Sequence, residues 1–253
     1  MNSLEDIAVI ITGAGSGMGA ASARMLASEG AKVALWDINE DSVQDLASEL
    51  NGLAVSCDVS SEESVVNAIE VSKKAHGGAR LLLNCAGILI GKKLVGKEGA
   101  SDLDHFYKTL QINLIGTFNT MRLVAADMAS LDPITDDGER GVIINTASIA
   151  AYEGQMGQVA YSASKGGIVG MTLPAARDLS RNGIRVMSIA PGAVETPMMA
   201  GVRDDIREAI EKNVPFPSRM ASVDEFAALV KHIAFNGYLN GTTIRLDGGA
   251  RLS

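Results

Sequence analysis

The hydrophobic positions of the chain fall into short continuous runs that alternate with longer segments of mixed polarity. The run at 7–11 is apolar at every position, which is typical of strands buried on both faces of a parallel sheet. Seven runs are predicted as strands, at 7–12, 32–37, 53–57, 80–84, 141–147, 184–190 and 242–246. The pattern predicts the α/β class, with a doubly wound sheet of seven parallel strands and helices on both faces.

The segments between the predicted strands have the length of helices that cross over from one parallel strand to the next. Helices are predicted at 17–29, 40–50, 62–75, 103–129, 158–181 and 222–235. A kink near Pro174 would accommodate the proline within 158–181. Residues 193–220 contain several prolines and predict an irregular excursion. Because no linker-like stretch divides the chain, residues 1–253 are expected to form a single domain.

Composition narrows the class of protein. A net charge of −8 without a stripe of Lys and Arg argues against a nucleic-acid partner. No apolar stretch reaches the roughly 18 residues that span a bilayer, and the first residues lack the basic region of a secretory signal. Cys57 and Cys85 are interpreted as reduced core thiols, and the three histidines lack metal-ligand spacing. We expect a cytoplasmic protein with no membrane partner and no metal.

A glycine-rich turn follows the first predicted strand. Its sequence is Thr12-Gly13-Ala14-Gly15-Ser16-Gly17-Met18-Gly19. Glycines let the backbone approach a ligand, and the amides at the start of the next helix favour an anion such as a pyrophosphate. The turn departs from the common G-x-G-x-x-G pattern, since Met18 precedes the last glycine, so a tight strand-to-helix turn without a ligand is the alternative.

Asp37 ends the second predicted strand, about twenty residues beyond the glycine turn. A carboxylate at this place accepts hydrogen bonds from an adenosine ribose and repels a 2′-phosphate. The next residues, Ile38 and Asn39, supply no cation for such a phosphate. The sequence therefore predicts NAD rather than NADP as the cofactor, with a helix cap or a solvated turn as the alternative role of Asp37.

Further candidate cofactor-binding residues follow the third and fourth predicted strands. They are Asp58, Val59, Asn84, Ala86 and Gly87. Ligands of open α/β sheets bind at the carboxyl ends of the strands, where these residues are expected to meet.

Ser148, Tyr161 and Lys165 form the candidate catalytic group. Tyr161 and Lys165 are four positions apart on a predicted helix, so they share one face. A tyrosine ionises near pH ~10, and a neighbouring ammonium is expected to lower that pKa towards the range useful for acid–base catalysis. Ser148 would then hydrogen-bond the substrate oxygen. A lone Tyr-x-x-x-Lys is also typical of a surface helix with an extended lysine, and the glycine turn upstream favours the catalytic interpretation.

Over essentially its whole length the chain resembles the short-chain dehydrogenases/reductases. The motifs that carry the resemblance are the turn Thr12–Gly19, Asn84 with Ala86 and Gly87, Asn113, Ser148, Tyr161, Lys165, Pro191-Gly192 and Thr196. The resemblance implies a Rossmann-like fold and an NAD-dependent oxidoreductase that interconverts a secondary alcohol and a ketone. It implies that Tyr161 exchanges the hydroxyl proton, Lys165 also holds the nicotinamide ribose, Asn113 positions a water, and Thr196 holds the nicotinamide carboxamide.

Several segments, among them 140–148, 154–158 and 213–219, are similar to the branch of this family that oxidises 3-hydroxyacyl-CoA. The similarity implies an acyl-CoA substrate of fatty acid metabolism, a lid at about 193–220 and a homotetramer. An extra loop at 91–102, also found in that branch, carries Lys92, Lys93 and Lys97. These lysines are expected either to attract the CoA phosphates or to form a solvated, mobile loop.

Three other functions remain open at this point. A hydroxysteroid or other secondary-alcohol dehydrogenase fits the same catalytic group, as does a 3-oxoacyl-carrier-protein reductase, although the latter usually prefers NADP. The different class is a nucleotide-binding scaffold that has lost the chemistry. A binding module has no need of a phenol and an amine at this spacing, which favours the enzymes.

Overall fold

The computed structural model describes residues 1–199 and 203–252, in which strands and helices alternate. The strands are β1 (Ala8–Thr12), β2 (Lys32–Asp37), β3 (Leu53–Ser56), β4 (Leu81–Asn84), β5 (Val95–Gly96), β6 (Gly99–Ala100), β7 (Gly141–Thr146), β8 (Ile184–Pro191) and β9 (Thr243–Leu246). The α-helices are α1 (Gly17–Ser28), α2 (Asp41–Leu50), α3 (Glu62–His76), α4 (Leu103–Leu110), α5 (Gly116–Ala129), α6 (Val159–Asp178), α7 (Asp204–Lys212) and α8 (Val223–Phe235).

Seven of these strands form one parallel sheet in the order β3-β2-β1-β4-β7-β8-β9. The prediction of a seven-stranded doubly wound α/β sheet is confirmed. The register brings the carboxyl ends of β1, β4 and β7 side by side, since Thr12 pairs with Asn84, and Asn84 pairs with Asn145, the last but one residue of β7. The short strands β5 and β6 form a separate antiparallel hairpin within the loop at 91–102.

The core lies in two layers, one on each face of the sheet. Alternate residues of a strand point to opposite faces, so Ile11 of β1 packs in the layer that contains Phe226 of α8, whereas Ile10 packs in the other. Trp36 lies fully buried in the second layer, where its indole nitrogen donates to the hydroxyl of Ser72 at 2.9 Å. Helices cover both faces, so the carboxyl edge of the sheet is the place left for a cleft.

Two predicted boundaries are wrong. The segment 103–129 is not one α-helix, because a π-helical turn at Gln111–Ile115 separates α4 from α5. A π-turn carries an extra residue, and here it contains the buried Asn113, which bonds to the backbone of Ile88. The irregular region predicted at 193–220 contains helix α7. Its residues, Asp204–Lys212, include no proline and form an amphipathic pattern, so a helix forms between the prolines that flank it.

Helix α6 continues through Pro174 to Asp178. Residues 200–202 of the predicted lid lie outside the described residues. Within residues 1–199 and 203–252, no helix has both the length and the apolar character needed to cross a membrane.

Candidate active site

A cavity of about 850 Å³ opens where the parallel strands end. Most of the predicted site residues line it: Gly13, Ser16, Gly17, Met18, Gly19, Asp37, Asp58, Val59, Ala86, Gly87, Ser148, Tyr161, Lys165, Pro191, Gly192 and Thr196. The remaining predicted residues, Thr12, Gly15, Asn84 and Asn113, are not among its lining residues. The structure therefore gathers the candidate cofactor and catalytic groups at one cleft, with four of them outside its lining.

The glycine turn requires glycine at two positions for steric reasons. Gly13 has a φ of +63°, and a Cβ there would lie 2.7 Å from the backbone nitrogen of Ala86. A Cβ on Gly19 would lie 2.3 Å from the carbonyl oxygen of Gly13. Both separations are shorter than real Cβ contacts, so the turn packs directly on the strand-end segment that contains Ala86. Helix α1 begins at Gly17, with its first amides beside the cavity.

Thr12 and Asn84 support the cavity wall by hydrogen bonds. The Thr12 hydroxyl accepts from the backbone amides of Cys85 and Ala86, both at 3.2 Å. The Asn84 side chain donates to Asn145 Oδ1 at 2.9 Å and accepts from the Thr120 hydroxyl at 2.8 Å. Both residues are buried, and these bonds hold the segment after β4 against the end of β1; contact of either residue with a cofactor stays a prediction.

Asp37 joins the glycine turn to the end of β2. Its carboxylate accepts from the amide of Gly15 at 3.0 Å through Oδ2 and from the amide of Asn39 at 3.1 Å through Oδ1. Asp58 is held in a similar local turn, where one carboxylate oxygen accepts from the amide and the hydroxyl of Ser60 at 2.9 and 2.7 Å. Both carboxylates are therefore held in place by hydrogen bonds where they line the cavity.

The donor set of this half of the cavity fits a dinucleotide. Amides at the start of α1 favour a pyrophosphate, and the Asp37 carboxylate is an acceptor for ribose hydroxyls. Across the cleft, a Cβ on Gly17 would lie 3.3 Å from Thr196 Cγ2, so the turn closely approaches the segment that follows β8. That segment begins with Gly192, whose amide donates to Leu246 at 2.9 Å.

Lys165 and Tyr161 lie on the same face of α6, as predicted from their spacing. The Lys165 ammonium is buried, donates to the carbonyl oxygen of Thr146 at 2.7 Å and lies 5.7 Å from the centre of the Tyr161 ring. Burial lowers the pKa of Lys165 to about 8. Ser148 follows β7 and begins a short 3₁₀ turn, in which its hydroxyl accepts from the amide of Ala150 at 3.1 Å.

The expected lowering of the Tyr161 pKa is not found. Burial raises the pKa of this phenol, and a hydrogen bond with the Ser148 side chain only partly opposes the effect. The physical reason is that a phenolate loses hydration in the cleft, while the nearby ammonium is bonded to the Thr146 carbonyl. Near neutral pH the phenol is therefore protonated and suited to donate a proton.

Asn113 reaches the site through the π-helical turn. Its side-chain oxygen accepts from the amide of Ile88 at 2.8 Å, and its nitrogen donates to the Ile88 carbonyl at 2.9 Å and to the Ser164 hydroxyl at 3.1 Å. A Cβ on Gly87 would lie 3.2 Å from Asn113 Oδ1 and 3.7 Å from Lys165 Nζ. Asn113 therefore ties the segment after β4 to helix α6 beside the catalytic pair.

The loop lysines lie apart from the cavity lining. Lys92 forms an ion pair with Asp102, and its amide donates to the carbonyl of Gly157 at 2.8 Å. Lys93 and Lys97 are exposed. No individual role was predicted from the sequence for further residues that line the cavity, namely Leu89, Lys108, Gln111, Gln155, Gln158, Ala250 and Leu252, or for Met199, Ile210 and Val214 of the predicted lid. Most of them are apolar residues that carry no motif, and they come from distant segments that meet only in the folded chain.

The geometry defines an α/β protein with a cavity at the carboxyl edge of its parallel sheet, and comparison with known proteins identifies the family. The model of the short chain dehydrogenase family matches residues 7–207, and the chain belongs to that family. It is an oxidoreductase, and its family implies the use of a nicotinamide cofactor.

Similar proteins cover nearly all of the chain. It is 46% identical over 257 residues to a 3-hydroxyacyl-CoA dehydrogenase type-2 of Bos taurus, covering 99% of this chain and 97% of the relative. It is 36% identical to an ipsdienol dehydrogenase of Ips pini, covering 99% of each. The solved structure of a 3-hydroxyacyl-CoA dehydrogenase type-2 from Mycobacterium avium superimposes with a TM-score of 0.93 at 41% identity, covering 98% of this chain and 96% of that one.

Proposed function

We propose that the protein is an NAD-dependent dehydrogenase that interconverts 3-hydroxyacyl-CoA and 3-oxoacyl-CoA. The observation that carries the proposal is the single cavity in which the glycine turn and Asp37 share a space with Ser148 and Tyr161. The substrate class is supported by the relatives named 3-hydroxyacyl-CoA dehydrogenase type-2, which match over nearly the whole chain.

The catalytic roles follow from the contacts around Tyr161. Bound NAD would supply the acceptor for a hydride from the alcohol carbon, and NADH the donor for the reverse reaction. In ketone reduction the protonated Tyr161 phenol donates its proton to the substrate oxygen, while the Ser148 hydroxyl holds that oxygen by a hydrogen bond. In alcohol oxidation Tyr161 accepts the proton as the phenolate, whose negative charge the Lys165 ammonium stabilises.

Asn113 and Lys165 have supporting roles next to Tyr161 and Ser148. We assign Asn113 the task of holding a water for proton exchange, which is supported by its buried position next to Gly87 and Lys165. Lys165 would additionally bind the nicotinamide ribose, and Thr196 the carboxamide, both from positions that line the cavity. Pro191 and Gly192 shape the same wall.

NAD rather than NADP is the proposed cofactor because Asp37 lies beside the glycine turn, where its carboxylate would face the adenosine ribose. The neighbouring Ile38 is 73% exposed and carries no charge, so the first residue after β2 offers no cation to a 2′-phosphate. A carboxylate at this position favours ribose hydroxyls and opposes an added phosphate.

The substrate end of the cavity is largely apolar. We assign this end to cavity residues outside the candidate cofactor set, among them Leu89, Met199, Val214 and Leu252, with Lys108, Gln111, Gln155 and Gln158 as the polar members. Apolar walls suit an acyl chain, and they also suit a steroid or terpenoid ketone, for which the similarity to an ipsdienol dehydrogenase is a specific reason. A hydroxysteroid or other secondary-alcohol dehydrogenase is therefore the second candidate function.

A substrate comparison tests the proposal. Reduction of acetoacetyl-CoA, a steroid ketone and a simple ketone is followed by the loss of NADH absorbance, with Tyr161→Phe as the inactive control. We expect acetoacetyl-CoA to give the highest kcat/KM. A higher value for the steroid or the simple ketone would reject the acyl-CoA substrate, and no NADH-dependent turnover of any ketone would favour a non-catalytic nucleotide-binding scaffold.

We further propose one domain over 1–253 with a lid at about 193–220, assembled as a homotetramer in the cytoplasm. Assembly is supported by large apolar side chains exposed along α4 and α5: Leu103, Tyr107 and Phe118 are 59%, 61% and 46% exposed. The cytoplasm is supported by the two free cysteines. Light scattering after size-exclusion chromatography tests the assembly, and a monomer at micromolar concentration would reject it.

A further inference from the structure

Arg245, on the last strand of the sheet, is held by an unusually complete set of acceptors. Its Nε donates to Asp247 at 2.6 Å, its two terminal nitrogens donate to the two carboxylate oxygens of Glu153, each at 2.9 Å, and one of them also donates to the carbonyl of Ala250 at 3.1 Å. The guanidinium lies 5.2 Å from the centre of the Tyr152 ring. A bidentate pair of this kind fixes both the distance and the orientation of its partners.

The two ends of this pair belong to different walls of the cavity. Glu153 directly follows the short turn that Ser148 begins, and its amide donates to the carbonyl of Ile149 at 3.0 Å. Arg245 leads into the C-terminal segment, in which Ala250 and Leu252 line the cavity. The ion pair therefore connects the segment that presents Ser148 with the C-terminal segment, both of which contribute to the cavity lining.

The Glu153 carboxylate lies beside two arginines of the C-terminal segment. Besides Arg245, the guanidinium of Arg251 lies 3.6 Å away. The hydrogen bonds from Arg245 are the main cause that lowers the pKa of Glu153. The side chains of Arg245 and Glu153 are only about a quarter exposed, at 24% and 25%, so water screens their interaction less than that of a fully exposed pair.

We propose that Arg245 and Glu153 are positioning residues that hold the C-terminal segment against the Ser148 turn and thereby set the shape of the substrate end. Neither residue touches the reacting atoms. The inference rests on the proposed function for its choice of substrate, but it concerns the binding of any ketone that the enzyme reduces. The glycine turn and Asp37 lie in other segments, and Gly192 meets this strand through the backbone carbonyl of Leu246 and not through the Arg245 side chain, so cofactor binding is expected to change less than substrate binding.

The test measures KM for acetoacetyl-CoA and for NADH separately in Arg245→Ala, Arg245→Lys and Glu153→Gln. We expect the KM of acetoacetyl-CoA to rise about tenfold in Arg245→Ala, because a displaced wall weakens substrate positioning, with the KM of NADH within about twofold. Arg245→Lys keeps the charge but loses the bidentate geometry, so it should recover only part of the affinity. The double variant Glu153→Arg with Arg245→Glu should bind substrate better than either single reversal.

Arg251→Ala cannot serve as the control for Arg245→Ala. It removes the same charge, but Arg251 belongs to the same network, since its guanidinium lies 3.6 Å from Glu153 and donates to Asp247 at 3.3 Å and to the Ala250 carbonyl at 2.7 Å. The neutral control is therefore Arg181→Ala, an exposed arginine in the short turn before β8, at the edge of the sheet opposite the cavity. The KM values of Arg181→Ala should stay within about twofold of those of the wild type. Hydrogen exchange supplies a second readout: the amides of residues 249–252 should exchange faster in Arg245→Ala, while those of α1 stay protected.

Equal increases in both KM values, or unchanged KM values despite faster exchange at 249–252, would overturn the proposal and leave the pair a structural role only. If the wild type reduces another ketone better than acetoacetyl-CoA, the acyl-CoA substrate is rejected on the wild-type result. The same variants are then measured with that better ketone, so the outcome for Arg245 and Glu153 is separate from the outcome for the substrate.

Discussion

The ammonium nitrogen of Lys165 donates a hydrogen bond of 2.7 Å to the backbone carbonyl of Thr146, the last residue of β7. This contact connects the catalytic helix α6 with the central sheet. The Lys165 side chain is buried, and its pKa falls from 10.5 to about 8 because burial disfavours the charged form. The free protein therefore keeps an ammonium beside the Tyr161 ring at a cost to its stability.

Lys165→Met should consequently stabilise the free protein below pH 8. The depressed pKa means that the folded state binds its proton less tightly than the unfolded state, which corresponds to about 3 kcal/mol of unfavourable charge burial at low pH. Loss of the hydrogen bond to Thr146 destabilises the variant by about 1–3 kcal/mol. We therefore expect the free energy of unfolding to rise by about 1 kcal/mol at pH 6.5. Thermal unfolding of both proteins measures it.

The gain should shrink as pH rises from 8 to 10.5, because the folded wild type loses its proton first and the penalty disappears. The control is Lys97→Met, which removes an exposed ammonium. If the gain in stability is the same at pH 6.5 and pH 10.5, or is equally large in Lys97→Met, the buried charge of Lys165 is not what destabilises the wild type.

Tyr161→Phe deletes only the phenolic oxygen and should reduce kcat by at least about a hundredfold, because the proton donor is lost. NADH affinity, measured by fluorescence titration, should stay within about twofold. Tyr238→Phe makes the same chemical change at a fully exposed side chain and should have the activity of the wild type. Retention of more than about a tenth of the wild-type rate would reject the acid–base role.

Asp37→Asn tests the cofactor choice. The wild type should prefer NAD to NADP by more than about tenfold in kcat/KM, and the variant should narrow that ratio because the repulsion of a 2′-phosphate is removed. Asp45→Asn, an equal change of charge on the exposed face of α2, serves as the control. Equal wild-type efficiency with both cofactors would remove Asp37 from the specificity site.

Gly13→Ala should weaken NADH binding more than tenfold and destabilise the fold by about 2 kcal/mol, since the new methyl would meet the backbone at Ala86 and Gly13 has a positive φ. Gly91→Ala is the matched control, because a Cβ there meets nothing within 4 Å. Fluorescence titration and thermal unfolding report the two effects. If the two variants have the same NADH affinity and the same thermal stability, the turn accommodates the extra methyl group and the steric argument is wrong.

The triple variant Lys92→Ala, Lys93→Ala and Lys97→Ala tests attraction of the CoA phosphates by the loop at 91–102. If these lysines act through charge, the KM of acetoacetyl-CoA rises at low salt, by about threefold, and the difference disappears at high salt. The control measurement is the KM of a simple ketone without phosphates. An unchanged KM of acetoacetyl-CoA at low salt would leave the loop a solvated segment and would not affect the enzyme assignment.

Local patterns carried much of the fold and of the site. Continuous apolar runs predicted all seven strands of the sheet, because a strand buried on both faces has no polar side. The spacing of Tyr161 and Lys165 predicted a shared helix face, since four residues complete about one helical turn. The sequence missed the break between α4 and α5, because a π-turn depends on the contact of Asn113 with the distant Ile88.

The sequence by itself determined the order of strands and helices, the glycine turn and the spacing of the catalytic group, all of which arise from neighbouring residues. Only the tertiary structure decided that Thr12 and Asn84 support the cavity wall, that Tyr161 has a raised pKa, and that Arg245 pairs with Glu153. The burial and hydrogen bonding of a side chain depend on the residues packed around it in the folded chain. Here those residues come from segments as many as 92 positions apart, as in the pair of Arg245 with Glu153.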